Sequence, residues 1–124
     1  MSNSEQTSVI AVLDDMFFAS KIKEAAKQLA LGIKVVKNVE ALNASAMTSI
    51  PKLIIVDLNS NKIDPISLIT DVKSNSKLHN VTTLGYLPHV EKELGQRAIE
   101  AGYDIVMPRS RFVRELGQIL VKYA

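Results

Sequence analysis

The chain has 124 residues, 47% of them hydrophobic, and a formal net charge of +2; that is one domain with enough apolar content for a core, too mildly charged for bulk nucleic-acid binding. It has no cysteine, which excludes disulfides, thiolate metal sites and cysteine nucleophiles, and its two histidines, His79 and His89, are too few for a histidine-rich metal centre. The opening "MSNSEQTS" lacks the apolar core of a signal peptide and no apolar run approaches the roughly 20 residues of a membrane helix, so a soluble cytoplasmic domain is expected.

Residues 1–7 read as a disordered polar tail and residues 8–124 as the domain. "SVIAVL" (Ser8 to Leu13) is a β-branched apolar run that reads as a buried strand. In "DDMFFASKIKEAAKQLALG" the apolar residues Phe18, Ile22, Ala25, Ala26 and Leu29 recur at helical spacing, and Gly32 stands where a C-terminal glycine belongs. "IKVVKN" is a second strand. "VEALNASAMTS" is a weaker helix with Asn38 as its N-cap. "PKLIIVDLNS" carries the third strand, whose unbroken apolar run ends abruptly on Asp57. "DPISLITDVKS" opens on Asp64 and Pro65, a cap followed by proline in the first helical turn. "VTTLGYL" is a fourth strand. "VEKELGQRAIEAG" is a helix with Val90, Leu94, Ala98 and Ala101 on one side, ending at Gly102. "YDIVM" is a short fifth strand. "RFVRELGQILVKYA" is the last helix, with Phe112, Leu116, Ile119, Leu120 and Tyr123 along one face.

Strands and helices thus alternate five times, which favours a parallel sheet covered on both faces. Right-handed crossovers and one reversal of winding give an α/β, flavodoxin-like (βα)5 doubly wound sheet of order 2-1-3-4-5. In that order the winding reverses between strands 1 and 3, and ligands bind outside the carboxyl ends of the strands at such a point. Strand 1 runs into Asp14 and Asp15, and strand 3 ends at Asp57. Each acid alone reads as a helix cap or a turn residue. Together, at neighbouring strand ends, they read as one acidic crevice. Like charges so placed oppose mutual ionisation, and a hard cation relieves them; Mg2+ suits a site of few carboxylates and several waters.

Three segments, "VIAVLDDMFFASKI", "KLIIVDLNSNKIDP" and "RAIEAGYDIVMPR", together resemble the receiver domain of two-component response regulators, over nearly the whole chain after residue 7. The resemblance makes Asp57 the candidate acceptor of a phosphoryl group from a histidine kinase or phosphotransfer protein. It makes Asp14 and Asp15 candidate Mg2+ ligands, beside Asp57 and the backbone carbonyl of Asn59. A carboxylate nucleophile attacking phosphorus is sound chemistry for such a group. It implies no enzyme activity beyond accepting that group.

The chain departs from the pattern in the response half of the site. The usual Thr or Ser ending strand 4 is Leu87, followed by Pro88, and the switch aromatic of strand 5 falls at Val106. The usual Lys after strand 5 is Arg109, followed by Ser110, with proline moved ahead to Pro108. Pro65 stands where a small residue is usual. The resemblance is therefore to an atypical or degenerate receiver: Asp57 as phosphoacceptor in phosphorelay signalling, with output by protein–protein interaction.

The alternative is a pseudo-receiver that never cycles, in which the Arg109 guanidinium pairs with Asp57 or Asp14 and weakens any Mg2+ binding. A flavin- or nucleotide-binding protein of the same fold is disfavoured, because "LDDMFF" is acidic and bulky where a phosphate cradle needs glycine or hydroxyl residues. His79 and His89 read as solvated loop residues, and Gly85 and Tyr86 as packing. The basic residues Arg109, Arg111, Arg114 and Lys122 read as a solvated or partner-facing surface, not a DNA site. The face of the fourth helix, fifth strand and fifth helix is where receivers meet partners, with Tyr103, Ile105 and Arg111 the residues expected there.

Overall fold

The alternating apolar runs condense into a single parallel sheet. The computed structural model describes residues 7–88 and 91–124. The elements are β1 (Val9–Val12), α1 (Met16–Gln28), β2 (Ile33–Val36), α2 (Val39–Thr48), β3 (Leu53–Asp57), α3 (Pro65–Ser74), β4 (Thr82–Leu87), α4 (Lys92–Ala101), β5 (Ile105–Pro108) and α5 (Arg109–Lys122). The strand order is β2-β1-β3-β4-β5, all parallel, as the element order predicts. Val12 pairs with Val56 and Asp57 with Tyr86, so the chain leaving β1 emerges beside the end of β3.

Alternate residues of each strand serve opposite faces, as a strand's period of two demands. Val9, Ala11, Leu53, Ile55, Leu84 and Tyr86 pack with Phe18, Ile22 and Ala26 of α1 and with Phe112, Leu116 and Leu120 of α5. Ile10, Val12, Ile54 and Val56 pack with Leu42 of α2, Leu68, Ile69 and Val72 of α3, and Ala98 of α4. The central strands are buried on both sides, which is why they read as unbroken apolar runs.

Local capping chemistry sets most helix starts. Asn38 Oδ1 accepts from Ala41 N–H at 2.7 Å. Asp64 Oδ1 accepts from Ile66 and Ser67 N–H, both at 3.1 Å, with Pro65 as the first residue of α3. Gly102 closes α4 at φ 131°, a left-handed conformation that a side chain would strain.

The end of α1 differs from the sequence expectation. Leu31 N–H reaches Ala26 C=O and Ala30 N–H reaches Lys27 C=O, a Schellman closure with Ala30, at φ 55°, in the left-handed position. Gly32 lies beyond it, and its carbonyl accepts from Ser8 and Val9 N–H at the start of the sheet. Leu29, expected on the apolar face, is exposed, one residue past the end of the helix at Gln28. The helix α5 begins two residues earlier than expected, at Arg109, since Pro108 turns the chain out of β5 directly into it. Thr7, placed in the expected tail, donates its N–H to Ser49 Oγ at 3.2 Å. The rest of that tail, and the expectations for His89 and Val90, lie outside the described residues. Among the described residues no helix is long and apolar enough to cross a membrane.

Candidate functional site

The carboxyl ends of β1 and β3 carry the three acids, and each is held by a different local device. Asp15 is the N-cap of α1: its Oδ1 accepts from Phe17 N–H at 3.0 Å and Phe18 N–H at 3.1 Å. Asp57 Oδ1 accepts from Asn59 N–H at 2.9 Å, an Asx turn that closes the loop after β3. Its Oδ2 has no hydrogen bond among the described residues. Asp14 Oδ2 lies 3.5 Å from Lys62 Nζ, a cation from the loop between β3 and α3.

Arg109 reaches the crevice from the start of α5. Its Nη2 donates to Asp15 Oδ2 at 3.2 Å, and its guanidinium carbon lies 4.0 Å from the centre of the Phe18 ring. The sequence suggested Asp57 or Asp14 as its partner; the acid it pairs with is Asp15. The reason is geometric. Phe18 and the cap Asp15 share the first turn of α1, so one planar guanidinium stacks on the ring and reaches the carboxylate together.

These contacts set the electrostatics. The Phe18 N–H, opposed by partial burial and reinforced by Arg109, holds the Asp15 carboxyl below its ordinary range. Burial pushes the Asp57 carboxyl up, with Asn59 N–H and Arg109 acting against the shift and the Asp15 charge adding to it.

The acids have the right chemistry for a hard cation, but not the arrangement. Asp15 spends one oxygen on its helix and the other on Arg109, and Asp14 faces Lys62. Among the described residues no three Asp, Glu or His side chains gather to hold a metal ion. As placed, the donor set does not fit a divalent ion, because a bound cation would compete with Arg109 for Asp15 Oδ2. Of Asn59, the contact on this site is its N–H on Asp57.

The two positions that the resemblance assigns to a switch, Leu87 and Val106, stand on the α2–α3–α4 face of the sheet, and both are apolar. Leu87 is buried there and Val106 packs against the same cluster. Leu58, the residue after Asp57, adds to this wall: its N–H bonds Tyr86 C=O at 2.9 Å, and its side chain lies over Gly85. A Cβ at position 85 would stand 2.7 Å from Leu58 Cδ2, so glycine is what admits this closure.

Three contributors escaped the sequence reading. Lys62 sits in a loop with no motif to mark it. Phe18 reads only as a core residue until Arg109 is found upon it. Tyr86, assigned to packing, is buried with its hydroxyl unpartnered among the described residues, in register with Asp57. Leaving a buried hydroxyl unpaired costs about 1–3 kcal/mol. Tyr103, expected on a partner face, is 3% exposed and donates its hydroxyl to Pro65 C=O at 2.8 Å, so it braces α3 and offers no surface. Ile105 is half-buried and Arg111 is exposed, paired with Glu115 at 2.9 Å.

No family model matches the chain, and no curated protein matches it. Solved structures do. A response regulator from Hahella chejuensis is 14% identical with a TM-score of 0.82, covering 95% of each chain. The chemotaxis response regulator CheY4 of Vibrio cholerae is 15% identical with a TM-score of 0.80, over 96% of this chain and 99% of that one. The Mn2+-bound form of response regulator Rcp1 is 17% identical with a TM-score of 0.71, over 90% and 87% of the two chains. At these identities the likeness is one of fold.

Proposed function

We propose that this chain, which has the fold of response-regulator receiver domains, is a signalling module with Asp57 as its phosphoryl acceptor and protein–protein contact as its output. The observation that carries this reading is the presentation of Asp57 at the end of the central strand. Asn59 N–H fixes one oxygen and leaves the other to act as a nucleophile. In the reaction Oδ2 forms a bond to phosphorus of an acyl phosphate or a phosphohistidine. The bond from phosphorus to the carboxylate or imidazole leaving group breaks, and that group departs with the electron pair. Arg109, whose charge already acts on Asp57, is the cation at hand for the transferring oxygens. Mg2+ has at most a weak place in this reading while Arg109 holds Asp15. The proposed donor is a histidine kinase or phosphotransfer protein, and the proposed compartment the cytoplasm.

A second reading is a pseudo-receiver that binds a partner without cycling. The Arg109–Asp15 pair favours it, since the chain supplies its own counter-ion. One experiment separates the two. The purified chain is treated with acetyl phosphate, with and without Mg2+, and its intact mass is measured. A mass increase that disappears in Asp57→Ala supports the acceptor. An unchanged mass under both conditions replaces it with the pseudo-receiver.

A further inference from the structure

Tyr86 is among the largest fully buried side chains of the domain, and its hydroxyl has no hydrogen-bond partner among the described residues. It stands across from Asp57 in the β3–β4 register, on the same face of the sheet. Its ring stacks on Phe112 with centroids 5.0 Å apart and planes 4° from parallel. It also meets Phe18 at 5.1 Å and 60°, and Phe18 meets Phe112 at 5.9 Å. Phe112 lies in the first turns of α5 and Phe18 in the first turn of α1. Above Phe18 sits Arg109.

The hydroxyl is also inside the electric field of the crevice. After burial, the charges of Asp57 and Asp15 act against its ionisation and that of Arg109 acts for it. The opposite face of the sheet has neither a hydroxyl nor an aromatic at Leu87 and Val106 with which to register a change at Asp57. On Tyr86's face a polar atom and three rings in contact are present. A ring stacked flat in a close-packed core cannot tilt without displacing its neighbour.

We infer that Tyr86 is the positioning residue through which the state of Asp57 reaches α5 and α1, its hydroxyl answering the charge on Asp57 and its ring carrying the displacement to Phe112 and Phe18. Output would then leave from the α1–α5 side of the sheet. The inference rests on the reading of Asp57 as the working acid of the crevice, but not on what changes that acid, so its test needs no phosphoryl donor.

The test compares backbone amide shifts in the 15N-labelled full chain and its Asp57→Asn, Tyr86→Phe and doubly substituted forms. Asp57→Asn is expected to move the amides of Phe18, Phe112 and Leu116 more than those of Leu94 and Ala98 in α4. Without the Tyr86 hydroxyl that displacement is expected to shrink about threefold, the non-additivity of coupled residues. An equal displacement with and without the hydroxyl overturns the inference, as does one centred on Leu94, Ala98 and Val106. Should Tyr86→Phe lose its dispersed spectrum, Phe112→Leu, which removes the stacking partner, decides between the same outcomes. Acetyl phosphate labelling judges Asp57 separately, so either idea can fail alone.

Discussion

Arg109, the first residue of α5, donates to Asp15, the cap of α1, across 3.2 Å. The last helix thereby holds the start of the first, and the cation that does so stands at the mouth of an acidic crevice. The pair is partly exposed, at 41% and 39%, so its worth lies more in where it places charge than in stability.

Arg109→Ala is expected to cost about 1 kcal/mol, from a screened ion pair and a lost cation–π contact. Urea denaturation measures it. The same substitution frees Asp15 Oδ2, so Mg2+-induced amide shifts at Asp14 and Asp15 should grow. Arg109→Lys should recover less than half of the stability, because an ammonium cannot stack and fork at once. A variant as stable as the parent would mean the contact is not populated in solution.

Asp15 gives a pH limb whose sign follows from its contacts. Its folded-state pKa lies below the unfolded value near 3.8, chiefly through Phe18 N–H, so the folded form holds the proton less readily. The stabilisation is fully present above the unfolded value and is lost as pH falls through the folded one. Asp15→Asn keeps a cap acceptor and should flatten that limb, whereas Asp15→Ala should cost about 1 kcal/mol at neutral pH. Thermal melts across the acid range separate the two variants.

For Asp57 the sign is reversed. Burial raises its folded-state pKa above 3.8, so the folded protein binds a proton more readily than the unfolded chain. Stability falls as pH rises through that window, and the cost stays in force at neutral pH. Asp57→Asn should therefore raise the melting temperature at pH 7 by about 2–5 °C, with the gain shrinking below the window. A lower melting temperature at pH 7 would show that burial does not dominate at this carboxyl.

Gly85→Ala should destabilise by about 1–3 kcal/mol, since its Cβ would meet Leu58 at 2.7–2.8 Å. The clash is specific, so combining it with Leu58→Ala should cost clearly less than the two single losses added. Strict additivity in a denaturation cycle would place the cost of Gly85→Ala elsewhere.

Much of this protein is legible in its sequence. Asn38, Asp64 with Pro65, and Gly102 mark helix ends because capping is short-range chemistry that a few adjacent residues settle. Gly32 misled for the converse reason. The left-handed residue after α1 is Ala30, while the Gly32 carbonyl accepts from Ser8 and Val9 N–H at the start of β1, a contact 23–24 residues away in the chain that no local signal carries.

The sequence by itself determined the order of strands and helices, the doubly wound sheet that follows, and the delivery of Asp14, Asp15 and Asp57 to one end of it. These rest on periodicity, chain order and the handedness of crossovers, which are properties of the chain read locally. Only the tertiary structure decided which acid Arg109 takes, that Lys62 faces Asp14, that Tyr103 is a buried brace, and that Tyr86, in register with Asp57, buries a hydroxyl unpartnered among the described residues. Those depend on where side chains 94 residues apart meet, as Asp15 and Arg109 do, and such meetings are set by packing.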